Sequence, residues 1–339
     1  MRDGTFYIAS GSSFKVMEFS SYGDLLSMYY NADENPKPVI LQNPAEGAVT
    51  NRRAHPYSFR QVGEVAVSSS KVLYVEDRLP DERAVYDDKL GIVLNRIVLR
   101  FQGGEYQGYL GQEGRGGTPF PYIQSLAVSN RDEVVVLCRA MTSWIVYWYS
   151  PTGDLLSTVH IPLDRLPAPP GEKLFANLET IVPDPDERVL HLKLDYYQEG
   201  VDSSTGIKYG VEEITSRIYR LNVSTSRFEG FIDIPKNVRK VKGGGFFETR
   251  EEDHLYELLG VVSGGNFYLR SREEGNTHQL LILQRDGKVL RRRAITVEDS
   301  QLLFSVFHLS SDGILSALLA SDTGAKIVWW RGDSLIRLP

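Results

Sequence analysis

The chain has 339 residues, 42% of them hydrophobic, 11% aromatic and 24% charged; 38 Lys and Arg stand against 44 Asp and Glu, for a net charge of −6. This is the composition of a globular protein with one large or two ordinary domains, and the mild acidity with mixed signs excludes the basic footprint of a nucleic-acid binder. The single cysteine, Cys138, excludes an internal disulfide, and no stretch approaches the 18 apolar residues of a membrane-crossing helix.

Strand-like sequence starts by Thr5, and "MRDGTFYIAS" has no apolar signal-peptide core. So abrupt an opening leads us to expect an export segment removed upstream. From there, period-two alternation and Gly-containing turns recur in six units. The first (1–34) carries "GTFYIAS", "FKVMEF" and the turn "SSYGDLL". With the strands of a unit lettered A to D, these are B, C and the turn into D; strand A, the innermost, is missing. The second (59–110) is complete: "VGEVAVS", "KVLYVED", "NRIVLRF" and the turn "FQGGEYQ". The third (120–163) reads "IQSLAVS", "EVVVLCR", "WIVYWY" and "SPTGDLL", nearly repeating the first turn; Cys138 falls in its strand B as a small core residue. The fourth (174–235) has "LETIVPD", "RVLHLKL", "SRIYRLN" and "NVSTSRF". The fifth (255–298) has "LLGVVSG", "GNFYLRS", "HQLLILQ" and "QRDGKVL". The sixth (302–339) has "VFHLSSD", "GILSALLAS" and "AKIVWW", with a last strand through "SLIRLP".

Four-stranded units repeated in tandem, none able to bury both faces alone, imply an all-β fold: one β-propeller over 1–339 with six four-stranded blades. Seven blades is the alternative, with a unit hidden in 35–59; the prolines and charges there read instead as a long loop.

The second and third units carry a resemblance. "EVAVSSSKVLYVEDRL" (64–79) and "PYIQSLAVSNRDEVVVLCRA" (121–140), each followed by an aromatic strand and a Gly turn, resemble NHL repeats. "MRDGTFYIASG", "SYGDLLS" and "GTPFPYI" together look like a family of spirochaetal propeller lipoproteins of unassigned function. That resemblance implies a periplasmic or cell-envelope protein with a lipid anchor upstream of the sequence given, and membrane association through that anchor alone.

The residues themselves offer little chemistry. No HExxH, CxxC pair, P-loop, GxSxG or EF-hand loop occurs, and the six histidines lack metal-ligand spacing. "DPDER" (184–188) reads as a turn, and Arg291–Arg293 read as charges that protect an outer strand from pairing. No catalytic, cofactor or metal residue is assigned. Two B–C connections, 77–95 and 195–216, are long, polar and tyrosine-containing; in a propeller both leave from the face where the B strands end. The residues expected to form a recognition surface there are Glu76, Asp77, Arg78, Tyr86, Arg139, Asp195, Tyr196, Tyr197, Tyr209, Arg270 and Arg272. The expected function is that of a monomeric, non-catalytic scaffold that binds protein or envelope partners. The alternative is a metal-dependent propeller enzyme of the lactonase, hydrolase or lyase kind, for which the A strands supply Glu64 and Glu179 as their only carboxylates.

Overall fold

A computed structural model of the chain describes residues 4–36, 53–170, 174–201, 205–242, 249–272, 277–297 and 302–336. The chain divides into two compact units, Met1–Leu163 and Asp164–Pro339. Each contains three principal antiparallel sheets in sequence order, and the fold class is all-β, a six-bladed β-propeller. No helix is long and apolar enough to cross a membrane among the described residues.

In the first unit, β1 (Thr5–Ser10), β2 (Lys15–Ser20) and β3 (Leu25–Tyr30) pair in order, and β4 (Arg53–Pro56) adds to β3 in parallel. Among the described residues no strand pairs with the open edge of β1, in keeping with a first blade that lacks its innermost strand. Its fourth strand comes instead at the outer edge, from a stretch whose proline reads as loop in the sequence. Pro56 ends that strand at a sheet edge, where a missing N–H costs little, and the Tyr29 and His55 rings meet 4.8 Å apart. Residues 37–52, most of the suspected seventh unit, lie outside the described residues.

The second sheet runs β5 (Val65–Val67), β6 (Val72–Arg78), β9 (Arg96–Gln102), β10 (Glu105–Gly111) and β11 (Gly114–Arg115), with the hairpin β7 (Val85–Asp87) and β8 (Ile92–Leu94) inserted after β6. The third runs β12 (Tyr122–Val128), β13 (Val134–Arg139), β14 (Ser143–Tyr149) and β15 (Leu155–Pro162).

In the second unit, β16 (Phe175–Pro183), β17 (Val189–Val201), β18 (Lys208–Asn222) and β19 (Arg227–Ile234) form one sheet. A two-stranded extra follows, β20 (Asn237–Lys242) with β21 (Thr249–His254). The next blade is β22 (Glu257–Val261), β23 (Phe267–Arg272), β24 (Thr277–Leu283) and β25 (Val289–Thr296). The last sheet has β26 (Phe304–Leu309), β27 (Ile314–Ser321) and β28 (Gly324–Arg331), and then a five-residue helix, α1 (Gly332–Ile336).

That helix corrects the reading of "SLIRLP" as a strand; residues 337–339 lie outside the described residues. Asp333 accepts the Ser334 N–H, pairs with Arg331 and so closes a helical turn. Leu335 then buries between β24 and β27, beside Leu280 and Leu315. Arg293 of β25, expected to serve only as an edge charge, donates to the Ser334 carbonyl at 2.8 Å.

The repeated turn has one cause. In "SSYGDLL" and "SPTGDLL" the Gly N–H donates to the Ser carbonyl, the Ser N–H to the Asp carbonyl, and the Ser hydroxyl accepts the Asp N–H. The third residue after Ser must turn left-handed, and Gly23 and Gly153 do so at φ 89° and 93°. The A–B turns reuse the pattern from Ser68, Ser129 and Ser310.

Both faces of the central strands are apolar because each blade packs on its neighbours. On β14, Ile145, Tyr147 and Tyr149 join Val72, Tyr74, Val98, Val134 and Val136 between the second and third blades. Trp144, Val146 and Trp148 of the same strand are buried as well. Cys138 lies in this core with no exposed surface, and burial raises its thiol well above the ordinary range.

Candidate functional site

In every sheet the B strand runs from the A–B turn to the B–C connection, so the long insertions extend from one end of their own blades. In the first unit that end is built on two buried acids. Asp77 is 3% exposed and accepts the backbone N–H groups of Gln61 at 2.7 Å and Arg60 at 3.0 Å. Glu76 is 4% exposed; it accepts the Glu64 N–H at 3.0 Å and lies 3.5 Å from Arg96. Burial raises both carboxyls, and these hydrogen bonds recover only part of the shift. A Cβ on Gly63 would come within 2.2 Å of the Glu76 carboxylate, so a larger residue there would have to displace that buried carboxylate. Glu76 and Asp77 are therefore inside the protein and fix the 60–64 segment rather than facing outward.

Above them a cleft of about 750 Å³ opens between the Gly11–Phe14 turn, the Arg60–Val62 segment and residues 78–82. Arg78 lines it and pairs with Asp81 at 2.8 Å. The rest of the 77–95 insertion is the β7–β8 hairpin. Asp87 Oδ1 accepts the N–H groups of Lys89 and Leu90, which tightens its turn, and Leu90 packs on the core beneath. Tyr86 stands 61% exposed on this hairpin beside exposed Val85 and Val93. Arg139, at the end of β13, is exposed and lies over the Trp144 ring at 5.6 Å. Glu64, just before β5, is reached by solvent yet hemmed in by protein. Burial and then the neighbouring Glu76 push its carboxyl up to about 7.

In the second unit the 195–216 insertion is not a separate loop. It continues β17 and β18 as a hairpin paired from Asp195↔Ser216 to Val201↔Lys208, with register shifts after Tyr196 and after Gly200, and with residues 202–204 outside the described residues. Facing glycines, Gly200 and Gly210, and the Glu199–Lys208 ion pair let the ladder run on. Asp195 is buried and accepts two hydrogen bonds from the buried Lys193, at 2.7 and 2.9 Å. Lys193 also lies 3.1 Å from Glu179, and Ser216 bridges Asp195 and Glu213. Burial raises the Glu179 and Glu213 carboxyls. Tyr196 is buried, with its hydroxyl bonded to Pro167 and Tyr219. Tyr197 is half-buried and its phenol is pushed up to about 12, by burial first and then by nearby Asp195. Tyr209 lies on β18. In the fifth blade, Arg270 pairs with Glu257 and stacks on Phe307 at 4.2 Å, and Arg272 is exposed.

Among the described residues no group of three or more His, Cys, Asp or Glu is arranged to hold a metal ion. Asp184 of "DPDER" accepts from His191 and Arg285, both at 2.9 Å, and Asp186 accepts the Gly264 N–H. Burial pushes the His191 ring down, so it is neutral near pH 7 and its Nε2–H donates to Asp184. Two features escape the sequence reading: the cleft residues Ser12, Arg60, Gln61 and Glu82, and the buried Lys193. The second had a signal, since His191, Lys193 and Asp195 alternate with Leu190, Leu192 and Leu194 and so share one face of β17.

No protein-family model matches the chain, and no curated protein matches it. It is similar in fold to the Dos1 propeller at 12% identity, covering 98% of this chain and 66% of that one, TM-score 0.38. It is similar to a gluconolactonase from Xanthomonas campestris at 11% identity, over 96% and 80%, TM-score 0.39. It is similar to the β-propeller domain of the Trilobed protease from Pyrococcus furiosus at 9% identity, over 97% and 91%, TM-score 0.44. At such identities the activity of each remains its own.

Proposed function

We propose that this chain is a non-catalytic binding propeller that recognises a protein or cell-envelope partner at the B–C end of its blades. The observation that carries this reading is the β7–β8 hairpin: an ordered insertion, pinned from beneath by Leu90, that holds Val85, Tyr86 and Val93 out to solvent. An apolar aromatic kept rigid and exposed supplies contact area at little entropic cost. The residues left at the surface for contact are Tyr86, Arg139, Arg272 and the half-buried Arg78, Tyr197 and Arg270. The NHL-like repeats and the likeness to spirochaetal propeller lipoproteins favour a monomer held at the envelope by an upstream anchor. A photo-crosslinking residue at Tyr86 or Arg139 should capture the same partner. The same probe at Tyr22, 93% exposed in a C–D turn, should capture nothing. Equal capture at all three positions would refute the assignment of the face.

One arrangement favours the enzyme reading: Glu64 lies beside the buried Glu76, whose carboxylate accepts the Glu64 N–H at 3.0 Å, and burial with that neighbouring acid raises the Glu64 carboxyl toward the range of a general acid–base group. Lactone or ester hydrolysis that Glu64→Gln abolishes would replace the binding reading with the catalytic one.

A further inference from the structure

The cleft in the first unit is more than a gap beside the hairpin. At about 750 Å³ it has the volume of a small-molecule site. Its walls are held from below. Asp77 takes the backbone N–H groups of Arg60 and Gln61, while Gly63 and Glu64 donate to the Glu76 carbonyl and carboxylate. Across the cleft, Gly11 sits where a Cβ would come within 2.9 Å of the Val62 carbonyl. Arg60 thus stands on a fixed backbone, and its guanidinium makes no hydrogen bond or ion pair with any described residue. Neighbouring Arg78 and Arg96 are both engaged, by Asp81 and Glu76. The buried Asp77 carboxylate feels the Arg60 charge, but its oxygens are occupied by main-chain donors.

We infer that this cleft binds a small oxyanion-bearing molecule, a carboxylate or a phosphate ester, through Arg60. A guanidinium fork matches either group with two parallel hydrogen bonds. The Gln61 amide and the Ser12 hydroxyl line the same space as further donors. Glu82, also in the lining, is an acceptor for a hydroxyl or ammonium elsewhere on the ligand. This goes beyond the partner-recognition reading, and the two fail separately: crosslinking at Tyr86 tests one, and ligand titration at Arg60 the other.

The experiment is calorimetric titration of the whole chain at constant ionic strength, with inorganic phosphate in one arm, succinate in the other and chloride as control. One-site saturable binding is expected in at least one arm, and the arm that saturates assigns phosphoryl or carboxylate. Arg60→Gln should weaken it about tenfold or more, with Arg60→Lys between the two. Ser12→Trp, which fills the cleft and leaves Arg60 in place, should abolish it. Arg60 is exposed, so an unchanged melting curve will show that the variant folds. The inference is overturned if neither ion saturates below about 10 mM, or if binding survives both Arg60→Gln and Ser12→Trp.

Discussion

Replacing Lys193 by Met tests how the second unit tolerates a charge in its core. The Lys193 side chain is 1% exposed and Asp195 is 3% exposed, with hydrogen bonds of 2.7 and 2.9 Å between them and Glu179 3.1 Å from the ammonium. Methionine keeps the length and most of the volume, so the cavity contribution is small. What remains is a buried carboxylate without its cation, which costs about 3–5 kcal/mol. Adding Asp195→Asn removes the stranded charge and keeps an acceptor for Ser216, so the double variant should recover most of that loss, a coupling of about 2–3 kcal/mol. Urea denaturation of the wild type, both single variants and the double variant at about pH 7 reads the cost and the coupling. A single-variant cost under about 1 kcal/mol, or a double variant no more stable than Lys193→Met, would show that the ammonium does not compensate these acids.

Glu64 titrates near 7 when folded and near 4.5 when free. The folded state therefore holds the extra proton, and stability should fall as pH rises between those values. Glu64→Gln should flatten that slope in pH-dependent melting, with Glu76, itself paired with Arg96, as the neighbouring charge. Arg285→Ala should cost about 1–2 kcal/mol in urea unfolding: its pairs with Asp184 and Glu187 are partly exposed, and His191 still serves Asp184 after the loss. Leu335→Ala should cost about 2–4 kcal/mol by the same measurement, because its side chain is buried in the core between the fifth and sixth blades. Cys138 should resist a thiol reagent in the native protein and react once the chain is unfolded in urea.

Local rules written in short windows were legible. The Ser-x-x-Gly turn, the alternation of "WIVYWY" and the burial of Cys138 each depend on a few neighbouring residues, and each survives in the fold. The unpaired inner edge of β1 among the described residues also matches the tandem pattern, in which the first unit has one strand fewer. Partners distant in sequence were not visible. Asp77 reads as a surface acid until Arg60 and Gln61, 17 and 16 residues earlier, bring their N–H groups to it. The Gly-Asp pair of "WRGDSLI" suits either a hairpin or a first helical turn. The choice fell to Leu335, whose burial against another blade no local window contains. Likewise the 195–216 stretch reads as a polar loop, because nothing within it announces that β17 and β18 stay paired, through two register shifts, past the body of the blade.

The distribution of polar contacts explains why recognition should sit at the B–C end. The opposite end, where the A–B and C–D turns lie, is occupied by keys from blade to blade. In the first unit, Asp132 of one A–B turn accepts the Ser69 N–H and hydroxyl and the Ser70 N–H of the preceding one. Arg100 and Arg115 both donate to the Thr152 carbonyl in the next C–D turn. In the second unit, Arg285 in a C–D turn reaches Asp184 and Glu187 in the preceding A–B turn, and Asp186 takes the Gly264 N–H. Each of these contacts fixes one blade against its neighbour, so an insertion or a charge reversal there would loosen the packing between blades. At the B–C end the buried acids turn inward to hold their own blade, which leaves arginines, tyrosines and an open cleft toward solvent. Where the polar keys between blades occupy one end of a blade, the other end is free to vary, and each large insertion leaves its own blade at that other end.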